Sequence, residues 1–288
     1  MKRKSIKLVL CTLLLLFVSA VNLQGQAFFE DIYPLGEELF RQYKVSEIKV
    51  TDYDFDKDKG DWEQEGFTPR HVFYNQQGKP VRMEIYFEQE VLKQYDVSLD
   101  FEYHSGGRQK IIGTQKSPHE DYFTWVYYEG DLIQKKYTYN PDSVLKYYDV
   151  FSYDANDNLL SVDNFMPNGA IRREAKYQYN AENKKITEAY FDGPNSKPLT
   201  NVTYTWPAPN KKLRQEKTSQ GIDFGSVEYE NNDKGRLVKE WTKGPFSSGR
   251  TTREFFYMDN GDLIREIVNY DTSGGKVKLV RYEFSFHQ

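Results

Sequence analysis

The chain has 288 residues, of which 38% are hydrophobic and 16% are aromatic, and Tyr alone accounts for 23. A core of this composition consists mainly of Tyr, Phe and Val, which cover pleated sheets well, so the composition favours an all-β protein. The formal net charge is -4 at pH 7. It falls to about -8 when the basic residues near the N-terminus are removed, which argues against nucleic acid or an anionic membrane as the partner; these residues are Lys2, Arg3, Lys4 and Lys7.

Residues 1–26 are predicted to be a signal peptide. The basic residues precede a short apolar run from Leu8 to Val18, and cleavage is expected after Ala20 or near Gln26. The run is too short to cross a bilayer as a helix. Cys11 lies inside the run rather than at its end, so lipidation is not expected. We therefore expect a secreted, periplasmic or envelope protein whose mature chain has no disulfide and no transmembrane span.

Residues 27–44 are predicted to form one short amphipathic helix. Ile32, Leu35, Leu39 and Phe40 recur at helical spacing. We expect this helix to cap the open edge of the first strands, because an exposed sheet edge invites aggregation. The rest of the chain, residues 45–288, is expected to be a single array of β-repeats.

A tyrosine recurs every 25 to 29 residues from position 74 onwards. An apolar or aromatic residue stands two positions before each one, as Val72 does before Tyr74. Side chains two positions apart lie on one face of a strand, because strand side chains alternate. The pattern therefore predicts strands, and we interpret the tyrosines as structural anchors of the repeat: Tyr74, Tyr103, Tyr128, Tyr153, Tyr179, Tyr204, Tyr229, Tyr257 and Tyr282.

The repeat that starts at Phe151 shows how each unit is built. One strand ends at Tyr153, residues 154–158 turn the chain, and residues 159–164 return as a second strand before a further turn at 167–169. Gly, Asn and Asp in these turns accept the positive φ that hairpins require. Two strands per unit predict an antiparallel meander of about eighteen strands, which would extend ~85 Å if it were flat. We expect an elongated, twisted or partly rolled sheet, because twist accumulates in large sheets.

The residue between the two members of each anchor pair is polar in six of the nine repeats. One face of the sheet is therefore expected to contact water in the middle repeats. Phe73, Tyr127 and Phe256 are the aromatic exceptions. They could form exposed patches for a partner or a glycan, but packing under the N-terminal helix or inside a curled sheet is the favoured interpretation.

The segment FSYDANDNLL at 151–160 resembles the YD repeats of the Rhs family, and the segments at 229–240 and 257–266 are looser copies. The resemblance covers about Tyr74 to Tyr282, and the MORN-like hairpin repeats are a second candidate. Members of the Rhs family form β shells around a toxin or extracellular adhesion modules. The resemblance implies a secreted or envelope-associated β scaffold without a toxin role, because the chain has no Asp-Pro-x-Gly motif.

We predict no catalytic, cofactor-binding or metal-binding residues. The four histidines, at positions 71, 104, 119 and 287, stand in no catalytic motif. Asp54, Asp56, Asp58 and Glu65 have the spacing of calcium-loop ligands, but Gly60 is one position too late and no helices are predicted beside them. Alternation along a strand explains these aspartates more simply.

The leading interpretation is an exported, non-enzymatic β-repeat scaffold that binds a protein or a cell-surface polymer. The alternatives are a carbohydrate-binding module, or less favourably a hydrolase. The first alternative would use exposed tryptophans, which are Trp62, Trp125, Trp206 and Trp241. A membrane barrel is disfavoured, because Leu263 shares its predicted strand face with Arg265.

Overall fold

The computed structural model describes residues 36–64, 66–86, 97–115, 121–194, 197–245 and 247–288. The predicted signal peptide and residues 27–35 of the predicted helix lie outside the described residues. Within them the chain forms one helix, α1 (Gly36–Gln42), and nineteen strands. No helix in these ranges is long and apolar enough to cross a bilayer.

The strands follow one another along the chain with short connections. Their bounds are β1 Val45–Asp56, β2 Asp61–Trp62, β3 Phe67–Tyr74, β4 Pro80–Ile85, β5 Val97–His104, β6 Arg108–Gln115, β7 Tyr122–Glu129, β8 Leu132–Tyr139, β9 Leu145–Tyr153, β10 Leu159–Phe165, β11 Ile171–Tyr179, β12 Lys185–Phe191, β13 Thr200–Ala208, β14 Lys211–Thr218, β15 Asp223–Asn231, β16 Leu237–Lys243, β17 Thr251–Tyr257, β18 Ile264–Tyr270 and β19 Lys276–Phe286.

The sheet closes on itself. From β3 to β19 each strand pairs antiparallel with the next, and β1 pairs with both β19 and β3. Ile48 on β1 lies opposite Phe284 on one side and Val72 on the other. The two-residue β2 only extends the end of β1 as a hairpin. The result is a closed barrel of eighteen strands.

The prediction of an elongated, twisted or partly rolled sheet is therefore wrong. The all-β meander itself is present, but β1 joins the two ends of the meander and leaves no edge strand among the eighteen. Closure gives hydrogen-bonding partners to backbone groups that an open sheet would leave unpaired. The turn and strand pattern of each repeat does not encode this step, because closure depends on β1, which lies outside the regular repeats.

The register places the anchor pairs of all the repeats on the same face of the sheet. This face lines the inside of the barrel and is the more buried of the two. Val72, Val126 and Val202 are at most 1% exposed, whereas Tyr127 and Phe256 on the other face are 37% and 39% exposed. We refer to the two surfaces as the inner and outer faces.

Several anchor tyrosines tie neighbouring strands together through their hydroxyl groups. Tyr103 donates a hydrogen bond to the carbonyl oxygen of Pro80, and Tyr153 donates one to that of Ile133, each at 2.8 Å. Tyr257 donates to its neighbouring strand in the same way, also at 2.8 Å. In each case the acceptor lies at the start of the preceding strand. This contact gives the recurring tyrosine a structural role.

The hairpin turns are stabilised by Asn and Asp side chains. In five turns the first residue after the strand accepts hydrogen bonds from two backbone N–H groups of its own turn. These bonds fix the chain reversal locally, before any contact with the rest of the barrel. The five residues are Asn75, Asp154, Asn180, Asn232 and Asp271.

Helix α1 packs at one end of the barrel. Leu39 and Phe40 are 5% and 3% exposed, and the ring of Phe40 lies 4.7 Å from that of Tyr74. Their neighbours in this core come from β1, β3 and β17 to β19. The helix does not cover an open sheet edge, as the sequence suggested, because β1 has a partner strand on each side.

Two polar contacts fix this end of the barrel. The hydroxyl group of Tyr43, just after α1, donates a 2.7 Å hydrogen bond to Asp262, which Arg236 also contacts at 2.8 Å.

Gly78, in the turn between β3 and β4, has a φ of 76°. A Cβ atom there would lie 2.2 Å from the carbonyl oxygen of Glu37, so only glycine allows the helix to approach so closely.

Candidate binding surface on the outer face of the barrel

Seven aromatic side chains project from the outer face of four adjacent strands, β7 to β10. Four of them lie directly opposite one another in the register, so they cross the strands in a straight line: Trp125, Tyr137, Tyr148 and Phe165. Phe123 and Tyr139 form a second cross-strand pair beside this line, and Tyr127 lies at its other side. We call these seven side chains the outer aromatic row.

Three rings of the line stack on one another in sequence. Tyr137 and Tyr148 stack with centroids 5.4 Å apart, and Tyr148 and Phe165 stack at 4.9 Å. Neighbouring strands are about 4.8 Å apart, so rings stacked at these distances stand upright and direct their edges outward. Tyr127 packs against Tyr137 at 81° and is 37% exposed. The row therefore offers water a ridge of ring edges and hydroxyl groups.

Three cations flank the row. Arg108 and Lys110 on β6 lie opposite Tyr127 and Trp125, and Lys135 on β8 also lies opposite Tyr127. The guanidinium of Arg108 and the ammonium of Lys110 are 5.9 Å and 5.7 Å from the centroid of Trp125. These cation–π contacts hold two positive charges against one end of the row.

The cations beside the row lack the carboxylate contacts that several other cations of the outer face make. Examples of such contacts are the pairs Lys239–Glu254 at 2.8 Å and Arg281–Glu266 at 3.2 Å. Within the described ranges, Arg108, Lys110 and Lys135 form no ion pair with a carboxylate. The three positive charges beside the row are therefore available to a ligand.

The residues that the sequence singled out lie in separate places. All nine anchor tyrosines are on the inner face, so they contribute nothing to the outer surface. Of the four tryptophans, only Trp125 belongs to the row. Trp241 lies on β16, Trp62 packs 5.0 Å from Phe55, and Trp206 donates a hydrogen bond to the carbonyl oxygen of Lys185. The structure does not gather the tryptophans into one site.

The expected packing of Tyr127 and Phe256 is wrong. Both are more than a third exposed on the outer face, because the barrel turns this face to water and α1 packs on the other side. Phe73 is half-buried, with its ring 4.2 Å from that of His71.

The aspartates of β1 lie along the strand and in the turn that follows it. Asp52 contacts Lys278 at 3.2 Å, and Asp56 contacts Lys59 at 2.7 Å. Among the described residues, no group of three or more His, Cys, Asp or Glu side chains is arranged to hold a metal ion.

The inner face carries a buried carboxylate whose partners all come from the barrel wall. Glu188 is 6% exposed and accepts hydrogen bonds from Lys185 at 2.6 Å and from Tyr190 and Tyr204 at 3.0 Å each. Burial alone would raise the pKa of Glu188, but the ammonium group of Lys185 and the two hydroxyl groups outweigh it and hold this pKa below its usual value. This network satisfies the carboxylate and fixes β12 against β13.

Sequence reasoning missed five members of the row. Tyr137, Tyr139, Tyr148 and Phe165 are absent from the anchor pairs, and so is Phe123. The signal was present as aromatic residues out of phase with the anchors in four consecutive strands. A search restricted to the recurring tyrosine does not detect it.

No protein-family model and no curated protein matches this chain. The fold is similar to that of two porin-like proteins. One, from Bacteroides uniformis, is 11% identical over 84% of this chain and 97% of its own, with a TM-score of 0.44. The other, from Bacteroides vulgatus, is 9% identical over 84% of this chain and 98% of its own, with a TM-score of 0.31.

A putative outer membrane lipoprotein-sorting protein domain from Vibrio parahaemolyticus is also similar. It is 10% identical over 87% of this chain and 92% of its own, with a TM-score of 0.18. At these identities the likeness concerns the fold alone.

The resemblance to YD and MORN-like repeats is wrong. No model of either family matches, and the strands close into one eighteen-stranded barrel instead of an open array of repeats. Any meander of two-stranded units with inward-facing tyrosines and Asn- or Asp-rich turns produces a similar local pattern. The segment FSYDANDNLL reflects that local geometry.

Proposed function

We propose that this chain is an exported, non-enzymatic protein that binds a cell-surface polysaccharide along the outer aromatic row. The observation that carries the proposal is the straight line of aromatic side chains from Trp125 to Phe165. The last three rings of this line stack on one another, and the line is flanked by cations that have no carboxylate partner among the described residues. Three strand spacings give the line a length of about 14 Å, enough for about three sugar rings.

The outer face supports a location in water rather than in a bilayer. Charged side chains pair across neighbouring strands around the barrel, as Lys49 does with Glu283 and Arg82 with Asp100. Lys or Arg on the lipid-facing side of a membrane barrel costs about 2–4 kcal/mol at the midplane. Together with the predicted signal peptide, this charge distribution favours the periplasm, the envelope surface or the exterior.

Binding along the row would combine several weak contacts. The exposed ring edges can make van der Waals contacts with a sugar chain. The hydroxyl groups of Tyr137 and Tyr148 can exchange hydrogen bonds with the hydroxyl groups of the sugars. A polymer with many identical units can rebind along the row before it diffuses away, which raises the apparent affinity.

The test is affinity gel electrophoresis of the purified protein against a panel of soluble polysaccharides. The row variant carries Trp125→Ala, Tyr137→Ala and Tyr148→Ala. The matched control removes outer-face aromatics elsewhere, with Trp241→Ala, Phe256→Ala and Tyr270→Ala. We expect the row variant to bind at least tenfold more weakly than wild type, roughly the effect of removing three aromatic contacts.

The control variant should bind as wild type does. Equal losses in the two variants, or no retardation of wild type by any polysaccharide, would contradict the proposal. The length of a retained polymer should stay constant during incubation with the protein, as measured by size-exclusion chromatography, and shortening of the polymer would contradict the non-enzymatic assignment.

A further inference from the structure

We infer that the polymer bound by the outer aromatic row is anionic, with carboxylate or sulfate groups on its sugar units. This inference rests on the proposed function and specifies the class of ligand. Its basis is the local charge of β6 to β8, which has the opposite sign to the charge of the whole chain.

The three strands carry an excess of positive charge. Glu129, at the last position of β7, is their only carboxylate, whereas Arg108, Lys110 and Lys135 project from their outer face. The chain as a whole has a formal net charge of -4. A cationic patch on an acidic protein is therefore a local feature and not a consequence of the overall composition.

The positions of the cations suit a chain that lies along the row. Lys110 contacts the rings of both Phe123 and Trp125, at 5.1 Å and 5.7 Å from their centroids. Arg108 and Lys135 are exposed on either side of Tyr127, on the two strands that flank β7. A sugar chain packed against Trp125 and Tyr127 would place its acidic groups near all three charges.

The pairing of charges elsewhere makes a purely structural role a poor explanation for these cations. On β16 to β19, two cations of the outer face stand directly opposite carboxylates that neutralise them: Glu254 pairs with Lys239, and Glu266 pairs with Arg281. On the β7 side the positions opposite Arg108 and Lys110 are occupied by aromatic rings. On the β5 side Glu102 lies opposite Lys110, but its carboxylate contacts His104 at 3.4 Å and, among the described residues, forms no ion pair with Lys110. An anionic ligand would supply the carboxylate contacts that these cations do not make within the chain.

The test uses two polymers with the same backbone and different charge, polygalacturonate and its methyl ester. The cation variant carries Arg108→Gln, Lys110→Gln and Lys135→Gln. The matched control carries Lys217→Gln, Lys239→Gln and Lys243→Gln on the outer face of β14 and β16. Dissociation constants are measured by isothermal titration calorimetry at low and high salt, with the row variant described above included.

We expect wild type to bind polygalacturonate more tightly than the ester, and the preference should shrink at high salt. The cation variant should lose roughly tenfold in affinity for polygalacturonate, the sum of three exposed charge contacts, and little for the ester. The row variant should lose affinity for both polymers. The control variant should match wild type.

Two other results would overturn the inference. Equal affinity of wild type for both polymers, unchanged in the cation variant, would leave the row as a polysaccharide site but exclude an anionic ligand. Binding to neither polymer, together with cation-dependent binding to vesicles of phosphatidylglycerol, would make a membrane surface the occupant and would also contradict the proposed function.

Discussion

The core beneath α1 and the outer aromatic row use the same kinds of side chain in opposite environments. Phe40, Tyr74 and Tyr282 are 3–7% exposed on the inner side of the barrel. Tyr137 and Tyr148 stack on the outer face, where they are half-buried. The difference follows from strand parity: positions in phase with the repeat point inward and stabilise the barrel, whereas aromatics out of phase point outward.

Burial also affects the hydroxyl groups in the core beneath α1. Burial raises the pKa of Tyr282 to about 12, although the nearby Arg70 and Arg253 guanidinium groups oppose this shift. Tyr74, beside Phe40, has its pKa raised by burial in the same way. Both tyrosines therefore stay neutral at every pH at which the protein is expected to work. The inner tyrosines are structural, and titration is not part of their role.

The largest expected effect comes from removing the helix contact with the core. Phe40→Ala deletes a ring that is 3% exposed and packs on Tyr74, so we expect a loss of about 3–5 kcal/mol in the free energy of unfolding. Urea denaturation followed by circular dichroism measures it. Tyr127→Ala in the outer row is the control, with an expected change of less than about 0.5 kcal/mol. Similar losses in the two variants would remove the distinction between the regions.

A second test asks whether the helix really packs as closely on the β3–β4 turn as the structure indicates. Gly78 and Gly169 both have positive φ, at 76° and 83°, but only Gly78 has backbone atoms near its missing Cβ. We expect Gly169→Ala to cost about 1 kcal/mol through backbone strain alone.

Gly78→Ala should cost about 2–3 kcal/mol, because the clash with the carbonyl oxygen of Glu37 adds to the same strain. Thermal and urea denaturation of the two variants measure the difference. Equal costs would mean that the helix lies farther from the turn.

The contrast between the regions also explains how much of the fold the sequence could predict. The strands and hairpins could be predicted from the sequence. Asn or Asp residues such as Asn75 and Asp154 mark several of the turns, and the anchor pairs mark the strands that precede them. The closure of the barrel could not be predicted from the sequence. It depends on the pairing of Val50 of β1 with Tyr282 of β19, which are more than 200 positions apart. Register over such a distance leaves no periodic signal.

The candidate site was predicted only in part, for a related reason. The sequence analysis named Trp125 and Tyr127 individually. The row exists because the register places Tyr137, Tyr148 and Phe165 in line with Trp125 across neighbouring strands. That alignment is set by the bulges and turn lengths of the three hairpins that β7 to β10 form. The helix was predicted to cap a sheet edge, because an open sheet would leave the backbone groups of its edge strand unpaired.

The hydroxyl groups of the anchor tyrosines should contribute a smaller amount to stability. Tyr257→Phe removes the 2.8 Å hydrogen bond to the carbonyl oxygen of Leu237 and keeps the ring, so we expect a loss of about 1 kcal/mol. Tyr148→Phe in the outer row should leave the free energy of unfolding unchanged. Urea denaturation at constant pH compares the two. A neutral Tyr257→Phe would show that the anchors act through their rings alone.

The smallest expected effect is the pH dependence that Asp262 contributes at the helix end of the barrel. Hydrogen bonds from Tyr43 and then from Arg236 hold the pKa of Asp262 below its usual value. Its contribution to stability is therefore complete above the unfolded-state pKa of about 3.9 and is lost as the pH falls through the lower folded-state value.

Asp262→Asn should reduce the loss of stability between pH 5 and acidic pH, as measured by urea midpoints at about pH 5, 4 and 3. Asp154→Asn is the control for a carboxylate far from the helix, because its pKa is lowered within a single turn, first by the side chain of Asn158. If Asp262→Asn leaves the acid dependence unchanged, neither Tyr43 nor Arg236 lowers the pKa of Asp262 in solution. The helix would then be held at this end of the barrel by the apolar packing of Leu39 and Phe40. The core beneath α1 would differ from the outer aromatic row in burial, but not in having a polar contact that stabilises it.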